Sequence, residues 1–188
     1  MRKIAIKLYS WFRKYLFGID DRSPLQRAID NGMRIGKDCH IMENCVFDPS
    51  HCFLISLGDR VILAPQVYIL AHDTSTKMEL GYTVIRPVTI GDDVFIGARS
   101  TIMPGVSIGN HVVIGACSVV TKSIPDNSVA VGNPARVIST YSDYIESRRV
   151  QLQSSPCYDK SYIIDVITNE KRLNMQETLD ETRIGFII

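Results

Sequence analysis

A six-residue repeat is the feature of this sequence that most restricts its fold. From residue 90 to residue 125 it runs without a gap as IGDDVF, IGARST, IMPGVS, IGNHVV, IGACSV and VTKSIP. Shorter runs cover residues 35–52 and 57–74. The first residue of each unit is Ile, Leu, Val or Phe, the second is often Gly, and the fifth is usually small or β-branched.

This period points to short strands joined by tight turns. An aliphatic residue at every sixth position matches neither the 3.6-residue period of an α-helix nor the alternation of a long strand. One large and one small side chain would point inward on each strand, and we expect Gly to supply backbone freedom at the turns. Because one unit cannot close a core, successive units must stack as a solenoid. The sequence therefore predicts an all-β solenoid domain over residues 35–140.

Residues 1–34 are predicted to form an N-terminal helical segment. Residues 1–17 resemble an amphipathic helix, whose expected role is packing on its own domain. A weak contact with a membrane surface is the minority interpretation. Charged residues interrupt its apolar run, which argues against a signal peptide or a membrane span. A helix is then predicted to begin at Ser23 and Pro24 and to end near Asn31 and Gly32.

Residues 141–188 form a C-terminal extension without the repeat. A helix is predicted around residues 169–180. The apolar tail, residues 184–188, is expected to pack either on its own domain or on a partner subunit. The sequence leaves that choice open.

Composition narrows the class of protein further. The net charge is +1, so no strong field attracts nucleic acid. The five cysteines are an odd number without a CxxC pair, which argues against a disulfide framework or a zinc knuckle. Reduced thiols are expected in a reducing compartment, so the predicted location is cytoplasmic.

The repeat and four further segments resemble the hexapeptide-repeat acyltransferases, closest to the maltose, galactoside and polysaccharide O-acetyltransferases. These segments are LAHDTS (70–75), IGARS (96–100), IGACSVVTK (114–122) and GNPAR (132–136). The resemblance covers about residues 33–140. It implies a left-handed parallel β-helix with three units per coil, a homotrimer, and acetyl-CoA bound in the groove between neighbouring subunits.

His72 is the candidate catalytic residue. It lies where the repeat stops and a fifteen-residue loop, residues 75–89, begins. Breaks of this kind often carry function, and we interpret the loop as a lid or an intersubunit arm. A neutral imidazole is a suitable base for a hydroxyl that attacks a thioester. The resemblance also implies that His72 is the catalytic histidine.

Candidate acceptor contacts come from the preceding coil. Counting back one coil from His72 reaches residues 48–51. Asp48 and His51 are therefore predicted to contact acceptor hydroxyls, and Asn44 is a weaker candidate. An equally simple interpretation is that Asp48 caps a local turn and His51 packs beside it.

The resemblance also implies the residues that bind acetyl-CoA. Main-chain groups of the stacked turns would meet the pantetheine arm, and basic residues would meet the phosphates. The corresponding positions are Ala98, Ala116, Thr121, Lys122 and Arg136.

The predicted activity is transfer of an acetyl group from acetyl-CoA to a hydroxyl of a sugar or polysaccharide precursor. An N-acyltransferase that acts on an amino sugar and a non-catalytic β-helix scaffold are the alternatives. The γ-class carbonic anhydrases bind zinc with three histidines, two of them close in sequence. His40, His51, His72 and His111 contain no such close pair, so no metal is expected.

Overall fold

The computed structural model describes residue 16 and residues 22–188. The predicted amphipathic helix of residues 1–17 therefore lies, apart from Leu16, outside the described residues. The chain divides into two compact units, one that ends at Thr140 and one that runs from Tyr141 to Ile188. None of the helices formed by the described residues has the length and apolar character needed to cross a membrane.

Among residues 22–140 the first unit is built from short strands, two short α-helices and a 3₁₀ helix (Cys52–Leu54). The α-helices are α1 (Pro24–Asp30) and α2 (Lys77–Leu80). The strands are β1 (Arg34–Ile35), β2 (His40–Ile41), β3 (Val46–Phe47), β4 (Ile55–Leu57), β5 (Ile62–Leu63), β6 (Tyr68–Ile69), β7 (His72–Asp73), β8 (Val84–Ile85), β9 (Val88–Ile90), β10 (Val94–Ile96), β11 (Thr101–Ile102), β12 (Ser107–Ile108), β13 (Val112–Ile114), β14 (Val119–Val120), β15 (Ser128–Val131) and β16 (Arg136–Thr140).

Three sheets form the walls of a parallel β-helix. One sheet has the order β1-β4-β9-β12, and a second has β3-β6-β11-β14. The third runs β2-β5-β10-β13-β15 and ends on the antiparallel strand β16. Each coil contributes one strand to each wall, and equivalent positions of successive units pair in register, as Ile96 does with Ile114. The predicted solenoid is confirmed as a parallel β-helix.

The core consists of the first and fifth positions of the repeat. First-position residues that are buried are Phe47, Leu57, Leu63, Ile69, Ile90, Ile96, Ile102, Ile108, Ile114 and Val120. Fifth-position residues that are buried are Cys45, Val61, Val67, Val94, Ser100, Val106, Val112, Ser118 and Ile124. Each fully buried aliphatic side chain stabilises the fold by about 1.5–3 kcal/mol. The inward-pointing pattern expected from the sequence is therefore present along the solenoid.

The role expected for the second-position glycines was wrong. Their φ angles lie outside the left-handed region, which falls instead on the fourth position of the unit. There, eight residues other than Gly have φ between 53° and 61°: Asp38, Asn44, Arg60, Gln66, Asp93, Arg99, His111 and Cys117. The glycines are needed for a different reason. A Cβ on Gly97, for example, would lie 2.8 Å from the Cα of Ala116 on the next coil.

A column of Asp and Asn side chains links successive coils at one corner of the helix. Asp59 Oδ1 accepts the N–H of Lys37 at 2.7 Å, and Asp92 Oδ1 accepts the N–H of Asp59 at 2.7 Å. On the following coils Asn110 Oδ1 accepts the N–H of Asp92, and Asp126 Oδ1 accepts the N–H of Asn110, each at 2.8 Å. Asp59, Asp92 and Asn110 occupy the third position of their units, and Asp126 follows the last unit. All four side chains accept turn N–H groups that the strand ladders leave unpaired.

Helix α1 closes the first coil. Ser23 is its N-cap, with Oγ accepting the N–H of Gln26 at 3.1 Å, and Asn31 is its C-cap. The helix start and stop predicted from the sequence are confirmed. Ala28 of α1 is buried in the core cluster of the first unit, so this helix covers an apolar end of the solenoid.

The interruption of the repeat forms an antiparallel hairpin with a helix at its tip. Strand β7 pairs with β8, His72 opposite Ile85, and α2 lies between them. Apolar side chains of this excursion are exposed, among them Met78 and Tyr82.

The second unit contains helices α3 (Tyr141–Gln153) and α4 (Asn169–Thr182) and strands β17 (Cys157–Tyr158) and β18 (Phe186–Ile187). Helix α4 matches the predicted helix, whereas α3 was not predicted. Strand β18 pairs with β17, so part of the apolar tail packs within its own unit. All five cysteines of the chain are free, as expected, although Cys117 and Cys157 are exposed rather than buried.

Candidate active site

His72 lies at the base of the hairpin that leaves the coil. The preceding residue, Ala71, is fully buried, and its carbonyl accepts the N–H of Arg86 at 2.9 Å. The two strands therefore leave the β-helix as a hydrogen-bonded pair. The side chain of His72 keeps 25% of its surface exposed, so it can meet a substrate.

Asp48 binds His72 from the neighbouring coil. Its Oδ2 accepts from His72 Nδ1 at 2.5 Å and from the N–H of Ala71 at 2.8 Å. Its Oδ1 accepts the N–H groups of Ser50 and His51, at 3.0 and 2.8 Å. The carboxylate is fully buried and has a donor on every side. The turn that follows β3 therefore holds Asp48 in one orientation beneath the histidine.

The predicted acceptor contact by Asp48 is corrected by this geometry. Both carboxylate oxygens are occupied by main-chain N–H groups and by His72, and no part of the side chain reaches solvent. Counting coils correctly predicted that residues 48–51 lie beside His72. The turn-cap interpretation of Asp48 is confirmed, but its contact with His72 was not predicted.

The charge of Asp48 determines which histidine nitrogen carries a proton. Burial alone would raise the pKa of this carboxyl, but hydrogen bonds from Ala71, His51 and His72 outweigh it and lower the pKa below its ordinary value. Asp48 is thus a carboxylate at neutral pH and can only accept hydrogen bonds. A neutral His72 must therefore carry its proton on Nδ1, which leaves the lone pair of Nε2 free to accept a proton.

His51 packs against His72, with 5.3 Å between the ring centroids. Its Nδ1 is buried and has no hydrogen-bond partner among the described residues, and it lies 3.8 Å from Asp48 Oδ1. The side chain is partly exposed. The contact of His51 with an acceptor stays a prediction.

Asp48, His51 and His72 could each offer one ligand atom to a metal ion, since these atoms lie within 4.8 Å of one another. A cation would have to displace the hydrogen bonds that fix Asp48, because both carboxylate oxygens are already occupied. The other two histidines lie elsewhere: His40 is on β2, and His111 Nδ1 lies 3.8 Å from Asp93. The arrangement favours proton transfer over metal binding.

Asn44 lies at a left-handed turn position with φ of 59° and is exposed. It lines a cavity of about 550 Å³ between α1 and the first coil. Asp48 lines the same cavity. Asn44 therefore shares a cavity with the residue that binds His72, although His72 itself is not among the lining residues.

The predicted coenzyme contacts lie on the later coils. Ala98 and Ala116 occupy equivalent turns, and the N–H of Cys117 donates to Ala98 O at 2.8 Å. The N–H groups of Ala98 and Ala116 have no acceptor within the described part of the chain. Two stacked donors of this kind can bind the amide carbonyls of a pantetheine arm.

The predicted phosphate contacts lie further along the solenoid. Thr121 and Lys122 are exposed directly after β14. Arg136 is exposed at the start of β16, and its Nη1 donates to its neighbour's carbonyl, Ala135 O, at 2.9 Å. Most of the guanidinium thus remains available to an anion.

Comparison with known proteins identifies the family. The family model described as bacterial transferase hexapeptide (six repeats) matches residues 87–122. Protein CapG of Staphylococcus aureus is 35% identical over 158 residues, which cover 81% of this chain and 87% of CapG.

Two further proteins carry the similarity to named acetyltransferases. Galactoside O-acetyltransferase of Escherichia coli (strain K12) is 44% identical over 123 residues, 64% of this chain and 60% of that enzyme. A hexapeptide-repeat-containing acetyltransferase of Vibrio cholerae O1 biovar eltor was solved in complex with acetyl coenzyme A. It has a TM-score of 0.53 and 31% identity over 58% of this chain and 61% of its own. The chain therefore belongs to the hexapeptide-repeat family of acyltransferases.

Proposed function

We propose that this protein transfers an acetyl group from acetyl-CoA to a hydroxyl of a sugar or polysaccharide precursor, with His72 as the general base. The observation that carries the proposal is the hydrogen bond from His72 Nδ1 to the buried carboxylate of Asp48, at 2.5 Å. It supports a histidine fixed in orientation, with Nε2 unprotonated. A relative at 44% identity is named as a galactoside O-acetyltransferase, which supports a sugar as acceptor.

The reaction follows from that arrangement. Nε2 of His72 takes the proton of the acceptor hydroxyl as its oxygen attacks the thioester carbonyl. The C–O bond forms, and the carbonyl becomes a tetrahedral oxyanion. When this intermediate collapses, the C–S bond breaks and the CoA thiolate takes the proton from the imidazolium. Asp48 keeps its negative charge throughout and stabilises the imidazolium while it exists.

The donor site belongs to the same proposal. The free N–H groups of Ala98 and Ala116 would bind the pantetheine arm. Thr121, Lys122 and Arg136 would lie at the nucleotide end, where the two cations meet phosphate. The acetyl-CoA complex of the Vibrio cholerae relative supports acetyl-CoA as donor.

The resemblance to the family further implies a left-handed coil, a homotrimer and a donor groove between neighbouring subunits. In that assembly the exposed hairpin of residues 75–89 would be the lid or intersubunit arm. The free cysteines are consistent with a cytoplasmic location. Sedimentation velocity tests the assembly, since a stable monomer at micromolar concentration would contradict a shared site.

The activity is tested with purified protein, acetyl-CoA and a panel of simple sugars, amino sugars and oligosaccharides, with thiol release as the readout. Products are then treated with hydroxylamine, which cleaves esters and leaves amides intact. We expect thiol release that depends on a sugar and a product that hydroxylamine cleaves. An amide product would establish N-transfer instead. CoA binding without thiol release on any acceptor would favour a non-catalytic scaffold.

A further inference from the structure

A cavity beside Asp48 is large enough to enclose part of an acceptor close to the His72–Asp48 pair. Its volume of about 550 Å³ is in the range of small-molecule sites. Helix α1 forms one wall and the first coil forms the other. Asp48 belongs to the lining and accepts the hydrogen bond of His72 Nδ1. His72 is not among the lining residues, so a sugar held here has to extend its reacting hydroxyl beyond the cavity to reach Nε2.

One cation dominates the charge of this cavity. Among the described lining residues the charged ones are Arg27 and Asp48. The carboxylate of Asp48 is fully buried, and its two oxygens are occupied by four donors, so it offers nothing further to a ligand. Arg27 is exposed, and its guanidinium has no ion-pair partner within the part of the chain that is described. The carboxylate nearest to it along α1, Asp30, is bound by Arg22 and Gln26.

The rest of the lining suits a sugar. Asn31 and Asn44 offer amide groups, and Tyr68 is 43% exposed and offers a ring face and a hydroxyl. Pro24 and Phe47 supply an apolar surface for the C–H face of a ring. These are the neutral contacts that a saccharide uses, so the selectivity of the cavity depends on Arg27.

A neighbouring cavity provides an internal comparison. It has a volume of about 440 Å³ and shares Asn44 and Phe47 with the first, but it contains Glu43 and lacks Arg27. The exposed carboxylate of Glu43 therefore faces a different space. Among the described residues, the first cavity thus offers a ligand one cation, Arg27, and the second offers a carboxylate.

We propose that the acceptor is an anionic sugar whose carboxylate or phosphate is bound by Arg27 in the cavity beside Asp48. This inference rests on the proposed function, because it names the substrate class of the same site. A guanidinium binds carboxylate or phosphate through two parallel N–H donors, which gives both energy and orientation. The enclosing walls reduce the screening that would weaken such a pair on an open surface.

The test compares three sugars of the same ring stereochemistry. Methyl galacturonide carries a carboxylate, galactose 1-phosphate carries a phosphate, and methyl galactoside is neutral. Their dissociation constants are measured by calorimetry with CoA present, and kcat/KM is measured with acetyl-CoA. The proteins are the wild type, Arg27→Gln and, as a matched control that changes a carboxylate in the other cavity, Glu43→Gln.

The wild type should bind at least one anionic sugar about tenfold or more tightly than the neutral one, as expected for a hydrogen-bonded charge pair. Arg27→Gln should abolish that preference and leave affinity for CoA unchanged, whereas Glu43→Gln should keep it. The two anionic sugars separate a carboxylate site from a phosphate site.

Equal binding of all three sugars by the wild type would overturn the inference, as would a preference that survives Arg27→Gln. The binding arm is independent of turnover. Preferential binding of anionic sugars without acetylation would therefore count against the proposed activity and not against the cavity. Turnover of neutral and anionic sugars at the same rate and affinity would count against the anionic site in the cavity and not against the proposed activity.

Discussion

The contact between Asp48 and His72 makes Asp48→Asn an informative substitution. The change keeps the shape of the side chain but replaces one carboxylate oxygen with an NH₂ group. In the structure four donors meet the carboxylate: His72 Nδ1 and the N–H groups of Ser50, His51 and Ala71. An amide has one oxygen, so one pair of these donors must face another donor.

The new amide can adopt two orientations, and the first of them affects catalysis. If its oxygen keeps the N–H groups of Ser50 and His51, its NH₂ faces Ala71 and His72. Nδ1 of His72 must then accept a hydrogen bond, so the ring proton moves to Nε2. Nε2 is the atom that has to take the acceptor's proton. Loss of a general base lowers kcat by about 10²–10⁴-fold, which is about 3–5 kcal/mol of barrier.

The opposite orientation affects stability. Here the oxygen stays with Ala71 and His72, and the NH₂ faces the N–H groups of Ser50 and His51. Two partly buried N–H groups then lose their acceptor, which costs up to about 1–3 kcal/mol each in the free energy of unfolding. The first orientation also leaves a buried donor, the N–H of Ala71, without its acceptor. Denaturant unfolding therefore reports both orientations, and the tautomer of His72 distinguishes them.

The assay is kcat at saturating acceptor, with CoA affinity measured by titration and the His72 tautomer by ¹⁵N NMR. Asp73→Asn is the control, because Asp73 directly follows His72 in the chain, is exposed, and accepts hydrogen bonds from Ser75 rather than from His72. It should keep wild-type kcat. If Asp48→Asn keeps wild-type kcat with Nε2 unprotonated, Asp48 does not position the base and the reasoning fails.

Five further substitutions test the fold and the donor site. Gly97→Ala should lower the free energy of unfolding by about 3 kcal/mol, because its Cβ would meet the backbone of Ala116; a loss under about 0.5 kcal/mol in urea unfolding would contradict the close approach. Asp92→Ala should cost about 1 kcal/mol, because it removes the acceptor of a turn N–H on the coil below, whereas Asp92→Asn should be neutral. If both Asp92 variants unfold alike, the side-chain column is not stabilising. Lys122→Ala and Arg136→Ala should each raise the Kd for CoA about tenfold without unfolding the protein. Full CoA affinity in both would remove these residues from the donor site.

The sequence predicted the β-helix well because the residues of its core recur at a fixed spacing of six along the chain. The first position of a unit decides whether a large side chain points inward, and the same choice recurs at Ile90, Ile96 and Ile102. The repeat does not reveal the backbone conformation of the turns. Residues with side chains, such as Arg60 and Cys117, adopt the left-handed conformation expected of Gly. Stacking of identical turns fixes that conformation, so it depends on neighbouring coils rather than on local preference.

The candidate site was predicted in position but not in detail. Coil counting placed residues 48–51 beside His72, because strand pairing preserves the register from coil to coil. The direction of the Asp48 side chain depends on the tight turn after β3, where Ser50 and His51 donate to it. A carboxylate three residues before a histidine is common in turns, so the sequence carried no signal that separates acceptor binding from positioning.

Helix α3 was missed for a physical reason. None of its side chains between Tyr141 and Gln153 is buried, so it has no apolar face to produce a helical period. Helix α4 agrees with the helix predicted around residues 169–180. In the structure Thr168 is its N-cap, and Oγ1 accepts the N–H of Lys171 at 3.3 Å.

The most direct test of the central claim is kcat of His72→Ala at saturating acceptor, with CoA affinity measured on the same protein. The account predicts a fall of about 10²–10⁴-fold in kcat with little change in CoA affinity, because the imidazole takes the acceptor's proton and does not hold the nucleotide. A histidine that only orients the acceptor would instead raise its KM and leave kcat nearly intact. A near-normal kcat would contradict the role of His72 as the base.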